Sequence, residues 1–182
     1  MDLTAQSVRL RKPVSTDGPQ VTALIAGCPP LDVNSAYCNL LQCTDFADTC
    51  IIAEVDGTIA GWISGYRPPT DPDSYFLWQV AVAPTARGLR LSQRMMDALF
   101  ARPALAGVTH LVTTITRDNA ASWASFRSFA RRWNAPVQSA ERFNSERHFA
   151  GAHASEWQLR IGPLSRQHPS LARASPEHAA AL

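Results

Sequence analysis

Apolar side chains recur at two spacings along the first half of the chain, and each spacing predicts a different element. Alternation of apolar and polar positions is typical of a half-buried strand, whereas recurrence every three or four residues is typical of a helix. Together with capping and turn residues, these patterns predict five elements before residue 67. They are a strand at Val8 to Arg11, a helix carrying Val21, Leu24 and Ile25, a helix from Asn34 or Ser35 carrying Tyr37, Leu40 and Leu41, and two strands at Cys50 to Val55 and Thr58 to Tyr66 joined by an Asp56-Gly57 hairpin turn.

Six more elements are predicted in the second half, where strands and helices alternate at first. A strand, helix, strand succession requires a parallel pairing, whereas the preceding hairpin requires an antiparallel one. We therefore expect an α/β fold (α+β by some schemes) around one mixed sheet. The six elements are strands at Ser74 to Val82, Leu111 to Thr116, Val137 to Phe143 and Glu156 to Ile161, a helix starting near Arg90, and a helix capped by Asp118 or Asn119 with Trp123, Phe126 and Ala130 facing the core.

Composition is that of a folded protein of one domain. The chain has 182 residues, of which 46% are hydrophobic and 18% are charged, and this supplies enough apolar surface for one core. After Gly162 the sequence loses its periodicity. We therefore expect one domain over residues 1–164 and a poorly packed tail over residues 165–182.

Charge and hydropathy argue against several other classes of protein. The 17 basic and 15 acidic side chains leave a net charge of +2, too small and scattered to make nucleic acid the expected partner. No apolar run reaches the roughly 18 residues that cross a bilayer, and the first residues do not resemble a signal peptide. We expect a cytoplasmic protein with no membrane partner. Its four cysteines lack metal-ligand spacing, so we expect no metal and mainly small buried thiols.

The segment from Val80 to Ser92 combines the end of a strand, a tight turn and the start of a helix. Backbone N–H groups at a helix start attract anions, and Arg87 and Arg90 add formal charge. This segment is therefore a candidate phosphate-binding site. The residues alone leave open an ordinary connection between a strand and a helix.

The same segment resembles the acetyl-CoA loop of the GNAT N-acetyltransferases, which reads Gln or Arg, two residues, Gly, one residue, then Gly or Ala. Arg87 matches the first position, whereas Arg90 and Ser92 stand at the two small-residue positions. A side chain at Arg90 hinders ligand approach or requires a positive φ, at a cost of about 1–2 kcal/mol. Asn119 and Ser122 match the second coenzyme contact of this family.

This resemblance implies the GNAT fold, with a mostly antiparallel mixed sheet of six to seven strands and helices on both faces. It also implies acetyl-CoA as the cosubstrate. The coenzyme-binding residues that it implies are Val80, Val82, Arg87, Gly88, Leu89, Arg90, Leu91, Ser92, Asn119 and Ser122.

Two further motifs resemble a narrower family, the diaminobutyrate acetyltransferases of ectoine biosynthesis. They are Pro30 to Tyr37 and Phe76 to Val82, and a short stretch from His153 to Glu156 adds to them. The resemblance implies a homodimer that acetylates the γ-amine of L-2,4-diaminobutyrate. The residues that it implies for the diamine pocket are Asp32, Tyr37, Trp78, His153 and Glu156.

These residue types suit a substrate with two amines and one carboxylate. Asp32 and Glu156 can face the ammonium groups, while Tyr37, His153 and the Trp78 indole can face the carboxylate. Alternatively, the Trp78 ring can lie against an ammonium. The residues alone leave open a helix cap for Asp32, core aromatics for Tyr37 and Trp78, and solvated loop positions for His153 and Glu156.

Acetyl transfer to an amine requires removal of a proton, because an ammonium has no lone pair. The candidate base is Glu156, which either orients the amine or accepts its proton through water. The resemblance implies that a backbone N–H near Val80 stabilises the developing oxyanion. Arg127 stands where many family members place a tyrosine acid, so Tyr37 or a water is the candidate acid. A nucleophilic Cys38 or Cys43 ranks below direct transfer, since neither has an adjacent histidine.

Two other functions fit the same sequence. A GNAT enzyme for another small amine or amino acid would keep the coenzyme loop and use a different pocket. An inactive acyl-CoA-binding module would explain the altered glycines at Arg90 and Ser92 most directly.

Overall fold

The computed structural model describes residues 6–165, so the predicted tail lies outside the described residues from residue 166 onward. The chain divides into two compact units. Of the described residues, the first unit contains 6–66 and 77–106, and the second contains 67–76 and 107–165. The single domain over residues 1–164 stays a prediction.

The first unit contains a hairpin and three helices close to the predicted positions. The Asp56-Gly57 turn has φ values of 49° and 80°, the left-handed conformation that this two-residue hairpin loop requires. The elements are β1 (Val8–Arg11), α1 (Gly18–Ala26), α2 (Ala36–Cys43), β2 (Ile51–Val55), β3 (Thr58–Tyr66), the Leu77–Val82 part of β4 (Ser74–Val82), and α3 (Leu91–Phe100).

Helices cover both faces of the β2–β3 hairpin. Ile52 pairs with Trp62 across the two strands, and both belong to a buried cluster that includes Val21 and Ile25 of α1. The next pair, Ala53 and Gly61, points the other way, because successive residues of a strand face opposite sides. A Cβ added at Gly61 would lie 2.9 Å from Met95 Cε of α3. Glycine at this position therefore permits the close approach of α3.

The second unit contains the remaining strands and the α4 helix. Phe126 and Ala130 of α4 are buried as predicted, and Phe129 stacks on the buried Trp133 with ring centroids 5.4 Å apart. Trp123, also predicted to face the core, is only partly buried, and its indole N–H donates to the Thr116 carbonyl at 3.0 Å. The elements are the Ser74–Phe76 part of β4, β5 (His110–Thr116), α4 (Ala120–Arg132), β6 (Val137–Phe143), α5 (Ser145–Phe149) and β7 (Glu156–Ile161).

The seven strands form a mixed sheet in the order β1-β2-β3-β4-β5-β7-β6. The β4–β5 pairing is parallel, from Ser74 opposite His110 to Phe76 opposite Val112. The β1–β2, β2–β3, β5–β7 and β6–β7 pairings are antiparallel. The predicted mixed, mostly antiparallel sheet is therefore confirmed. Within residues 6–165, no helix is long and apolar enough to span a bilayer.

One predicted helix face was wrong, and one short helix was not predicted. The buried face of α2 carries Asn39, Gln42 and Cys43. Of the predicted face, Tyr37 and Leu40 are exposed, and Leu41 is only partly buried. The prediction failed because Asn39 is buried through its hydrogen bond to Thr22 of α1, which apolar periodicity does not reveal. The short α5 helix was not predicted, since five residues carry no helical periodicity; its cap is Asn144, which accepts from two backbone N–H groups.

Candidate active site

The backbone has a positive φ at position 90, immediately before α3. This is one of the two consequences that the sequence predicted for a bulky residue there. Arg90 is the N-cap of α3, with φ 55° and ψ 32° in the left-handed region, and no side chain caps this helix. Gly88 also has a positive φ of 89°, and a Cβ added there would meet nothing within 4 Å. The loop therefore adopts a left-handed conformation at position 90 even though this position holds an arginine instead of a glycine.

The α3 start has the features of an anion site. The first N–H groups of a helix have no partner within it, and no side chain supplies one here. The Arg87 and Arg90 side chains are both exposed. The Arg87 N–H donates to the Pro84 carbonyl at 3.3 Å, so its guanidinium rather than its amide is available to a ligand. The predicted set at this helix start is Arg87, Gly88, Leu89, Arg90, Leu91 and Ser92.

The end of β4 is fixed by two contacts from neighbouring elements. The Cys28 thiol donates to the Val82 carbonyl at 3.4 Å, and the Ala83 N–H donates to the Ala60 carbonyl at 2.8 Å. Val80 and Val82 are both partly buried. Their contacts with coenzyme, and the oxyanion role of the Val80 N–H, stay predictions.

Asp32, in the segment before α2, and Tyr37, in the first turn of α2, are both exposed to solvent. Ser35 is the N-cap of α2 and accepts from the Cys38 N–H at 3.1 Å, so Asp32 is not the helix cap. The Tyr37 side chain is 69% exposed. The alternative of a core aromatic at Tyr37 is therefore excluded.

Trp78 is also outside the core. The residue is 46% exposed, and its ring contacts the edge of the Tyr66 ring with centroids 6.4 Å apart. Tyr66 in turn contacts Phe46 at 6.2 Å. A large aromatic side chain on a mostly buried strand is thus left accessible to a ligand.

A network of buried amides was missed by the sequence analysis. Gln79 is 7% exposed, and its Nε2 donates to the Asp32 carbonyl at 2.6 Å. Asn34 Nδ2 donates to Gln79 Oε1 at 2.9 Å and to Asn39 Oδ1 at 3.3 Å. The available signal was a glutamine inside the apolar run Phe76 to Val82.

The start of α4 is satisfied by its own residues. Asn119 is the N-cap, and its Oδ1 accepts from the Ser122 N–H at 3.1 Å. The predicted capping role of Asn119 is confirmed, whereas coenzyme contacts at Asn119 and Ser122 stay predictions. Only the remaining polar atoms of these two side chains are available for such contacts.

The β6–β7 connection that carries His153 is closed by two serines. Ser145 Oγ donates to the His153 carbonyl at 2.6 Å, and the Ser145 N–H donates to Ser155 Oγ at 2.9 Å. The His153 ring lies 4.9 Å from the Phe149 ring, and its Nδ1 is 2.7 Å from the Ala154 carbonyl. His153 therefore belongs to a hydrogen-bonded loop.

Glu156 is the first residue of β7 and lies opposite Thr116 of β5 and Phe143 of β6. Its side chain is partly buried. The alternative of a solvated loop position is therefore excluded for Glu156.

A cleft of about 520 Å³ lies beside this loop in the second unit. Within it, the Arg117 guanidinium lies 3.8 Å from the Trp157 ring centroid. Hydrogen bonding from Thr116 holds the pKa of Asp118 below its usual value. The cleft is lined by Arg117, Asp118, Glu141, Ala154, Ser155 and Trp157.

The cysteines are free thiols in environments that disfavour the thiolate. Cys28, Cys43 and Cys50 are buried, and Cys38 is partly buried. Burial raises the pKa of Cys38, raises that of Cys43 to about 11 and raises that of Cys50 to about 12. Since the thiolate is the nucleophile, an acetyl-cysteine route through Cys38 or Cys43 is disfavoured. Residues 6–165 contain no cluster of three or more His, Cys, Asp or Glu that could hold a metal.

The predicted site residues are divided between the two units. Asp32, Tyr37, Trp78 and the α3 start belong to the first unit, whereas Asn119, Ser122, His153 and Glu156 belong to the second. Each group has the local features described above.

Comparison with known proteins gives consistent matches over most of the chain. Residues 20–130 match the model of the acetyltransferase (GNAT) family. The chain is 49% identical over 161 residues to the L-2,4-diaminobutyric acid acetyltransferase of Halomonas elongata, covering 88% of this chain and 83% of that protein. It is 48% identical over 159 residues to the enzyme of the same name from Chromohalobacter salexigens, covering 87% and 82%.

A solved structure extends the comparison. The diaminobutyrate acetyltransferase EctA from Paenibacillus lautus, in complex with L-2,4-diaminobutyric acid and coenzyme A, superposes with a TM-score of 0.83 at 36% identity. The match covers 87% of this chain and 96% of the Paenibacillus chain.

Proposed function

The chain belongs to the acetyltransferase (GNAT) family, and we propose that it transfers the acetyl group of acetyl-CoA to the γ-amine of L-2,4-diaminobutyrate. The product is N4-acetyl-L-2,4-diaminobutyrate, and the reaction is a step of ectoine biosynthesis. The observation that carries the proposal is identity of 49% and 48%, over 88% and 87% of the chain, to enzymes of this activity.

The first unit supports the coenzyme part of the proposal. When bound, acetyl-CoA supplies the acetyl group as a reactive thioester. The uncapped start of α3 offers backbone donors for an anion, and the exposed guanidinium groups of Arg87 and Arg90 add positive charge. Because Arg90 adopts the left-handed conformation itself, its side chain does not remove these donors. This removes the main reason to consider an inactive module.

The same unit supports binding of a cationic substrate. Asp32 is exposed, and the N-cap of α2 is Ser35 rather than Asp32. Trp78 and Tyr37 are exposed aromatic side chains on the two motifs that resemble the diaminobutyrate enzymes. A carboxylate and accessible aromatic rings are side chains that stabilise ammonium groups. We propose that all three contact the diamine.

His153 and Glu156 are proposed to contact the diamine as well. A backbone carbonyl only accepts, so the His153 Nδ1 facing the Ala154 carbonyl carries the ring hydrogen. The order of the loop that Ser145 closes supports a binding role for this side chain.

The substrate ammonium must lose a proton before the amine attacks the thioester. An alkyl amine with a pKa near 10.4 is neutral in about one molecule in a thousand or fewer at pH 7. We propose that Glu156 orients the ammonium or accepts its proton through water. Tyr37 or a water then protonates the departing thiolate, and the Val80 N–H stabilises the oxyanion.

We further propose a homodimer in the cytoplasm, with no nucleic-acid or membrane partner. The resemblance to the diaminobutyrate enzymes supports the dimer, and the modest net charge of +2 is compatible with self-association. Light scattering at micromolar concentration tests the dimer, and a monomer mass would contradict it.

The activity is tested with a series of diamino acids. With acetyl-CoA, the enzyme is expected to release free coenzyme A about a hundredfold faster in the presence of diaminobutyrate than in the presence of ornithine or lysine. Each added methylene shifts the terminal amine by more than an ångström. NMR of the product is expected to show acetylation of the γ-amine alone. Equal rates with all three substrates would indicate a GNAT enzyme for another amine, and no release of coenzyme A would indicate an inactive module.

A further inference from the structure

Gln79 is a buried polar side chain in a strand whose neighbouring positions are apolar. Leu77 and Ala81, two residues before and after it, are buried hydrophobic side chains. A buried amide is costly unless its donor and acceptor atoms are both paired. The contacts that pair them therefore reveal what this glutamine does.

The amide of Gln79 binds the segment before α2 at two points. Its Nε2 lies 2.6 Å from the Asp32 carbonyl, which only accepts, so the orientation of the amide is fixed. Its Oε1 accordingly accepts from Asn34 Nδ2 at 2.9 Å. One side chain thus holds the residues on both sides of Val33.

The network continues from Asn34 into two helices. Asn34 Nδ2 also donates to Asn39 Oδ1 at 3.3 Å, and Asn39 Nδ2 donates to Thr22 Oγ1 at 2.9 Å. Thr22 Oγ1 donates to the Gly18 carbonyl at 2.9 Å. Asn39 is fully buried. Each donor atom named in this hydrogen-bond network has an acceptor. The network therefore links β4, the segment before α2, α2 and α1.

The segment that Gln79 holds is otherwise turned to solvent. Asp32, Val33 and Ser35 are exposed, and Leu31 packs only partly against the core. A short exposed segment samples many backbone conformations unless hydrogen bonds fix it. The Gln79 amide supplies two such bonds from a buried strand.

We propose that Gln79 is a positioning residue for the diamine: its amide fixes the Asp32 segment so that the Asp32 carboxylate meets the substrate ammonium. This inference rests on the proposed function, in which Asp32 contacts the diamine. It also explains why the motifs at Pro30 to Tyr37 and Phe76 to Val82 occur together in this chain. The glutamine of one motif is hydrogen-bonded to the aspartate and asparagine of the other.

The test replaces Gln79 with glutamate, which keeps the shape and the acceptor but removes the donor to Asp32. Gln79→Glu is expected to raise the KM for diaminobutyrate about tenfold or more, the usual effect of losing a buried hydrogen bond. The KM for acetyl-CoA is expected to stay within about twofold, because the α3 start is unchanged. The matched control is Gln42→Glu, at a buried glutamine of α2 whose Nε2 donates to Cys38 Sγ. This control is expected to leave the KM for diaminobutyrate within about twofold.

A double-mutant cycle separates positioning from general structure. If Gln79 acts through Asp32, then Gln79→Glu in an Asp32→Asn background is expected to raise the KM by less than about threefold. Multiplicative effects of the two substitutions would overturn the proposal, as would an unchanged KM in Gln79→Glu alone. If Asp32→Asn itself leaves the KM unchanged, the assignment of Asp32 fails, and the positioning role fails with it. If Asp32→Asn raises the KM and Gln79→Glu does not, only the positioning role fails.

Folding of the glutamate variant is not required for the test. Gln79→Met removes both hydrogen bonds with an apolar side chain of similar length, which a buried strand tolerates. Its thermal midpoint is measured first, and the same rise in KM for diaminobutyrate and the same cycle with Asp32→Asn are expected. A Gln79→Met enzyme with an unchanged KM for diaminobutyrate would overturn the proposal as directly as the glutamate variant.

Discussion

The starts of α3 and α4 were both expected to contact the coenzyme, yet they differ in how their backbone N–H groups are used. At α4, Asn119 accepts from the Ser122 N–H and closes the helix with its own residues. At α3, the N-cap is a left-handed Arg90, and no side chain caps the helix. A helix start whose donors are left without a protein cap is suited to bind an anion, whereas a capped one is structurally complete. This difference favours the α3 start as the phosphate-binding site that we propose.

A carboxylate placed at each helix start gives the largest expected difference. Ser92→Asp is expected to weaken coenzyme A binding about thirtyfold, since about 2 kcal/mol of repulsion acts between the carboxylate and a bound pyrophosphate. An acidic residue in the first turn favours the helix itself, so folding is expected to be preserved. Isothermal titration calorimetry with coenzyme A provides the measurement.

The matched variant is Ser122→Asp, which introduces the same charge in the first turn of α4. Its expected effect on coenzyme A affinity is at most about fivefold, because the Asn119 cap already satisfies this helix start. Equal losses of affinity in the two variants would remove the distinction between the helices.

Removal of the α4 cap gives an effect of intermediate size, and on stability rather than affinity. Asn119→Ala is expected to lower the free energy of unfolding by about 1 kcal/mol, the usual loss when a side-chain cap is removed. Chemical denaturation measures this value. Arg90→Ala serves as the control at α3, where no side-chain cap is lost; an equal loss of stability there would show that the two helix starts are held in the same way.

Replacement of the left-handed Arg90 by glycine is expected to have the smallest effect, on the free energy of unfolding. Arg90→Gly removes a backbone penalty of about 1–2 kcal/mol but adds about 0.5–1 kcal/mol of conformational entropy in the unfolded chain. A net gain in stability of about 0.5 kcal/mol is expected. Coenzyme A affinity is expected to be preserved or improved, because the helix N–H groups remain. A destabilised variant would show that the arginine side chain stabilises this turn.

Local patterns in the sequence were sufficient to predict most of the fold. The Asp56-Gly57 turn and the capping asparagine at position 119 depend on residues close in sequence, and both were predicted correctly. The positive φ at Arg90 was anticipated from a glycine position of the family pattern. Short-range signals are reliable where the conformation is set by a few neighbouring residues.

The network of Gln79, Asn34 and Asn39 could not be predicted from local sequence patterns. Gln79 and Asp32 are 47 residues apart, and nothing in the spacing of either motif indicates that one binds the other. For the same reason the buried face of α2 was predicted incorrectly, because Asn39 is buried by its partners rather than by hydrophobicity. The resemblance predicted candidate site residues in different motifs, whereas the hydrogen bonds between those motifs became visible only in the structure.

A structure of the protein with coenzyme A bound tests the central claim most directly. We expect pyrophosphate oxygens to accept hydrogen bonds from the backbone N–H groups in the first turn of α3, near Leu91 and Ser92. We also expect the Asn119 to Ser122 hydrogen bond to persist in the complex. A pyrophosphate away from α3, or one bound by the first-turn N–H groups of α4 after loss of the Asn119 cap, would contradict the account.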